Sequence, residues 1–266
     1  MYESIKDLKL EKRGSILVIT MDNPPMNPAT PDSHTDLSRI FELINHDRDT
    51  DVVVLTGAGE KAFSAGGDIK NMINRIESAN HTLWFQQMQE ARHIVESMLR
   101  LEKPLIGRIN GHAIGLGSTL AAMCDMSYMM ADAKIADTHV NIGMTAGDGG
   151  SLMWPLLMGF PKAKYHLFTG EALTGKDAAE LGLVLEAVDT FEELDEKVFG
   201  LAERLAASPR IGLSTTKRSI QLVMRNMIEG LIEAHLGMET QSAWSKDHYE
   251  AALAFRDRRE PNFTGD

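Results

Sequence analysis

What most restricts this chain is an alternation between apolar runs of strand length and longer stretches with helical spacing. SILVITM (15–21), VVVLTG (52–57) and PLIGRIN (104–110) read as strands. Between them, residues 33–46 place Leu37, Ile40, Phe41 and Ile44 at steps of three, one and three, which is one face of a helix. Residues 81–101 repeat the idea with Trp84, Met88, Ile94, Met98 and Leu101. Strand, helix, strand, helix at this cadence implies right-handed βαβ-like crossovers and a layered α/β core.

Strand signals thin out after about residue 160. GKDAAELGLVLEAV reads as a short helix, a turn at Gly182 and a brief strand. From 191 onward the pattern is helical, over 191–207, 209–228 and roughly 229–258, and AFRDRREPNF ends the last helix before Pro261. The division expected is a core over 1–195 and a helical region over 196–266. No low-complexity tract or fixed-period repeat is present.

A length of 266 residues suits one large domain, or a core with a small appendage. With 43% hydrophobic and 24% charged residues the chain is ordinary for a soluble globular protein. The formal charge of -11 argues against a nucleic-acid partner, which needs a basic face. An anionic ligand would have to be held by local cations and backbone N–H groups. The one cysteine, Cys124, lies in an apolar run and reads as a buried, inert thiol in a reducing compartment. The opening MYESIKDLKLEKRGS has no apolar core of a secretory signal, and no uncharged stretch reaches the ~18–20 residues of a membrane span. A soluble, cytoplasmic protein with no membrane partner is expected.

Two glycine-bearing segments share a design. KAFSAGGDIK (61–70) follows the strand at 52–57 and leads into a helix near Met72. INGHAIGLGSTLAAMCD (109–125) passes from a strand through Gly111, Gly115 and Gly117 into an apolar helix. Each leaves free N–H groups at a helix start, where partial positive charge accumulates. Two such ends aimed at one atom make an oxyanion hole. Other glycine motifs are missing: there is no phosphate-binding P-loop, no dinucleotide fingerprint and no nucleophile elbow. No His or Cys pair has zinc-ligand spacing, so no metal is expected.

FSAGGDI, NGHAIGLGSTLAAMCD, LTGKDAAELGLV and AFRDRREPNF, in this order and spacing, resemble the enoyl-CoA hydratase/isomerase family, the crotonases. The resemblance covers nearly the whole chain. It implies an α/β fold built as a spiral of β-β-α turns, with a C-terminal helical region that mediates trimerisation, as a homotrimer or a hexamer made of two trimers. It also implies an acyl-CoA thioester substrate and an enolate-like oxyanion. Coenzyme A would enter as part of the substrate, with no permanently bound cofactor. Carried over by position, the amides of Ala65 and Leu116 would form the oxyanion hole. Ala65, Gly66, Gly67, Asp68 and Leu116 would line the path of CoA, and Phe255 and Arg258 would touch it, across a subunit boundary. Met26 stands where the family often has a basic residue near the nucleotide.

The sequence also departs from the family. Hydratases carry a glutamate in the helix after the second glycine loop and another on the next loop; here those positions are Thr119 and His139. Threonine is no base near neutral pH, so the hydratase pair of carboxylates is gone. In DTHVNIGMTAGDGG (137–150), His139 falls at a family acid/base position, and Asp148 falls near the catalytic aspartate of dienoyl-CoA isomerases and aryl-CoA dehalogenases. Histidine titrates close to neutral pH and can serve as acid or base. His112 reads as a loop-packing residue. Three functions remain in play: hydration or isomerisation of an enoyl-CoA with Asp148 moving protons and His139 assisting; hydrolysis or dehalogenation with Asp148 as nucleophile or water activator; and a non-catalytic CoA-binding scaffold.

Overall fold

Side chains that alternate between two cores along the early strands set the layers. In the computed structural model, which describes residues 1–78 and 80–266, β1 (Leu8–Arg13) and β2 (Ile16–Met21) pair antiparallel. α1 (Pro31–His46) crosses over, and β3 (Val52–Gly57) returns parallel to β2, with Leu17 opposite Val53 and Ile19 opposite Leu55. Those four side chains face the main core with Leu37, Ile40, Phe41 and Ile44 of α1. Ile16, Val18, Val52 and Val54 point the other way, into a second core. All six residues of β3 are buried, as expected of a parallel strand covered on both faces.

The chain then repeats one unit: a strand in a large sheet, a short strand in a small sheet, and helices. β3 is followed by β4 (Ala62–Ser64), α2 (Ile69–Glu77) and α3 (His81–Arg100). β5 (Leu105–Ile109) is followed by β6 (His112–Ile114) and α4 (Leu116–Met123). After β7 (Met126–Met130) come β8 (Lys134–Ala136), a 3-10 turn (His139–Ile142), α5 (Gly150–Met158) and α6 (Phe160–Thr169). β9 (Leu173–Thr174), α7 (Gly175–Glu180) and β10 (Glu186–Val188) complete the two sheets, ordered β1-β2-β3-β5-β7-β10 and β4-β6-β8-β9. This is the spiral of β-β-α turns that the resemblance implies.

Four helices end the chain. α8 (Phe191–Ala206), which contains residue 195, lays Leu194, Val198, Leu201 and Ala202 on the outer face of the large sheet. α9 (Arg210–Ile228) is pinned by its buried Lys217, whose Nζ lies 2.7 Å from Asp125 and donates to the Lys103 carbonyl. The stretch expected as one helix over 229–258 is two, α10 (Ile232–Ala243) and α11 (Lys246–Asp257). The break falls at Ser245, whose hydroxyl caps α11 by accepting the His248 N–H. No helix among the described residues is long and apolar enough to cross a membrane.

Candidate active site

β4 and β6 are parallel neighbours, so the loops that leave them emerge at one edge of the small sheet. These loops press backbone on backbone. A Cβ on Gly66 would lie 2.6 Å from the Ile114 carbonyl oxygen, and one on Gly117 2.6 Å from that of Ser64. Gly66 also has φ near +80°, a conformation few other residues adopt. The amides sort clearly. Ala65 donates its N–H to the Met26 carbonyl at 2.9 Å, so the expectation that it supplies an oxyanion donor is corrected. Two residues on, Gly67 is exposed, and its amide takes no hydrogen-bond partner among the described residues. Leu116, the first residue of α4, likewise keeps a free N–H, because the α4 N-terminus bonds only from Ser118 and Thr119 back to Gly115. Leu116 lines a cavity of about 320 Å³ together with Leu37, Leu120, Ser64 and Asn27 and the charged Lys6, Asp7, Lys9 and Asp22. Asp68 accepts a hydrogen bond from Asn71 at 2.9 Å at the start of α2.

A third loop meets the first turn of α4. Thr119, three residues after Leu116, donates its hydroxyl to Asp148 at 3.4 Å. The glycines around Asp148 permit this approach. Gly149 has φ +131°, and a Cβ there would lie 2.6 Å from the Thr119 methyl. On the other side, a Cβ on Gly147 would lie 2.5 Å from the His235 carbonyl oxygen of α10.

His139 joins this group through a partner that the sequence reading passed over. Asp137 faces the ring Nδ1 at 2.7 Å and accepts the His139 backbone N–H at 3.2 Å, so it fixes ring and loop together. The other ring nitrogen, Nε2, stands 3.8 Å from Asp148, close enough for charge pairing and too long for a hydrogen bond. Donor atoms of Asp137, His139 and Asp148 lie within 4.8 Å of one another. At 2.7 Å, however, the Asp137–His139 contact is shorter than the ~3 Å that two ligands of one zinc ion keep. The trio is a largely buried row of three titratable groups.

Its electrostatics follow from burial and charge. Burial alone would push the His139 ring down, but Asp137 and Asp148 outweigh it and hold its pKa well above the usual histidine value. Asp148 is raised, first by burial, with His139 opposing. A second unforeseen group is Glu239 of α10, buried beside Gly147 and raised to about 8 by burial and then by the charge of Asp148.

The remaining expected residues lie apart. His112 accepts the Lys134 N–H at 2.9 Å, a packing role. Cys124 is buried, and burial pushes its thiol up to about 12. Phe255 and Arg258 end α11, both exposed. Phe255 is seven residues beyond His248, which touches the 3-10 turn at the Ile142 carbonyl; that is about 10 Å along the axis.

Comparisons with known proteins place the whole chain. The family model described as enoyl-CoA hydratase/isomerase matches residues 11–266. The (E)-benzylidenesuccinyl-CoA hydratase of Thauera aromatica is 31% identical over 263 residues, covering 96% of this chain and 98% of that one. The crotonyl-CoA hydratase of Syntrophomonas wolfei is 30% identical, covering 98% of both chains. A crystal structure of an enoyl-CoA hydratase/isomerase from Mycobacterium paratuberculosis superposes with a TM-score of 0.87 at 30% identity, covering 93% of this chain and 97% of that one. With fold and sequence in accord over almost its full length, the chain belongs to the enoyl-CoA hydratase/isomerase family of enzymes.

Proposed function

We propose that the enzyme hydrates or isomerises an enoyl-CoA through an enolate held by the amides of Gly67 and Leu116. The observation that carries this reading is the pair of unpartnered N–H groups on two loops in backbone contact, one of them three residues from the threonine that touches Asp148. The α-carbon of a thioester is a weak acid, so most of the barrier is negative charge arriving on the carbonyl oxygen. One preorganised donor lowers such a barrier by roughly 3–4 kcal/mol in other enzymes. Asp148 then moves the proton, from substrate carbon or from water. His139, held by Asp137, stands 3.8 Å from Asp148 and opposes the upward push that burial puts on its carboxyl.

CoA is assigned to the cavity beside Leu116, where Lys6 and Lys9 are the cations that phosphates could meet, Lys9 being paired with Asp22 and Asp7 also lining the cavity. Phe255 and Arg258 fit a role as CoA contacts made across a subunit boundary. Self-association into trimers or paired trimers is supported by α9, where Ile220, Val223 and Met227 form an exposed apolar stripe at helical spacing.

The test is turnover of a panel of straight-chain, branched and aryl enoyl-CoAs. Asp148→Asn should slow the turned-over substrate by ~10²–10⁴, the usual range for losing a general base, and His139→Ala by less. Unchanged rates in both variants contradict the reading. The burial of Asp148 beside a cation also suits hydrolysis with Asp148 as nucleophile; oxygen label from heavy water entering Asp148 would select that reaction instead.

A further inference from the structure

The C-terminal helix α10 grips the catalytic loop from the side opposite α4. The Thr145 N–H donates to Ser242 at 2.9 Å, and the turn carrying His235 and Glu239 closes on Gly147, next to Asp148. α10 is fixed in turn by Trp84 of α3, whose ring N–H donates to Thr240 at 3.0 Å. Glu239 is only 3% exposed, and its Oε2, 2.9 Å from where a Gly147 Cβ would be, has no hydrogen-bond partner. A bare carboxylate is hard to keep in such a place, because nothing replaces the water it has lost.

Among the described residues no cation pairs with Glu239 in contact, and the positive charge of His139 and Arg75 reaches it only from a distance. Asp137, His139 and Asp148 face it from the loop side, and the one cation among them is shared by two aspartates. Arg75 of α2 opposes the rise through its charge without outweighing it, its guanidinium lying 4.1 Å over the Trp84 ring and donating to Gln87. His235 on its own helix and His248 of α11 are both pushed down by burial, toward the neutral ring.

We infer that Glu239 is a positioning residue of this site, a carboxylic acid kept uncharged against the Asp148 loop so that Asp148 alone carries the negative charge of the base. The inference rests on Asp148 being the base, as proposed above. When Glu239 ionises, a second anion stands beside Asp148 in a water-poor pocket. It then opposes both the ionised base and the enolate charge forming nearby. Burial and the charge of Asp148 place that ionisation at about 8, so the enzyme should fade as pH rises through that value.

Two measurements on the full-length protein test this. In infrared spectra, the wild type minus Glu239→Gln difference should contain the carbonyl stretch of a neutral carboxylic acid at about pH 7 and lose it by about pH 9. In pH–rate profiles, the wild type should lose kcat as pH rises through about 8, while Glu239→Gln should turn over more slowly and lack that limb. A glutamate that only fills space would leave the limb where it is. Thermal melts of Glu239→Gln, and of Glu239→Leu as a second neutral variant, show that the comparison is between folded proteins. An absent neutral-acid band, or an alkaline limb unmoved in both variants, overturns the inference. Should the wild type turn over no enoyl-CoA at all, the functional reading fails, and the infrared band alone decides whether Glu239 is the uncharged acid.

Discussion

Asp137 does more for this site than its place two residues before His139 suggests. By engaging Nδ1 it fixes which ring nitrogen faces Asp148, and its charge helps hold the ring protonated. Asp137→Asn keeps an oxygen for the backbone N–H but removes the charge. The His139 titration midpoint, followed by NMR, should then fall toward the ordinary histidine range; a midpoint that does not move contradicts the assignment. The sign for stability follows. A raised histidine pKa stabilises the fold fully below the unfolded value near 6.5, and that contribution is lost as pH climbs through the folded value. Glu239 works in the same sense, over a lower window. Between its ordinary value of 4.5 and about 8 the folded state holds a proton that the unfolded chain has released, so stability falls as pH rises across that window. The melting temperature of Glu239→Gln relative to wild type should therefore rise from about pH 5 to about pH 9, and a constant difference would contradict the shift. His139 and Asp148 were legible because they stand out among small residues in one short stretch. Glu239 was not, because nothing in α10 marks one glutamate among several as buried; only the packing of α10 on Gly147 does that.

Among the elements, those with enough length to show a period were readable: β2, β3, β5, α1 and α3 lie where the spacing of apolar residues puts them. β4, β6 and β8 have three residues each and β9 two, too short for alternation to show, yet β4 and β6 aim the two glycine loops and β8 leads to His139. The mistaken donor has the same origin. Sequence marks the glycine loop but not which amide the β2–α1 connection has taken, and Met26 takes that of Ala65. The loop around Asp148 is built on close approach, so Gly147→Ala must push α10 and the loop apart at the His235 carbonyl. A displacement of about 1 Å at a catalytic group can cost ~10²-fold. Gly147→Ala should lose kcat on that order, with a folded circular-dichroism spectrum. Full activity would mean that the loop position is not critical.

At the scale of the molecule, the last four helices do two jobs. α10 and α11 wall the segment that carries His139 and Asp148, and α9 presents Ile220, Val223 and Met227 to the outside. If that stripe is an assembly face, Val223→Glu should shift sedimentation from a multiple of three chains to a single chain. A wild type that sediments as a monomer would contradict the assembly proposed. The acyl group is not written in this architecture, since a family fold fixes the thioester's surroundings and leaves the chain beyond it to local side chains. The most direct test is therefore of the shared step: a crystal structure of Asp148→Asn with an enoyl-CoA bound. The account predicts the thioester oxygen at about 3 Å from both the Gly67 and the Leu116 nitrogens, with residue 148 beside the substrate carbons. A thioester oxygen bound elsewhere, or facing only one of those amides, would contradict it.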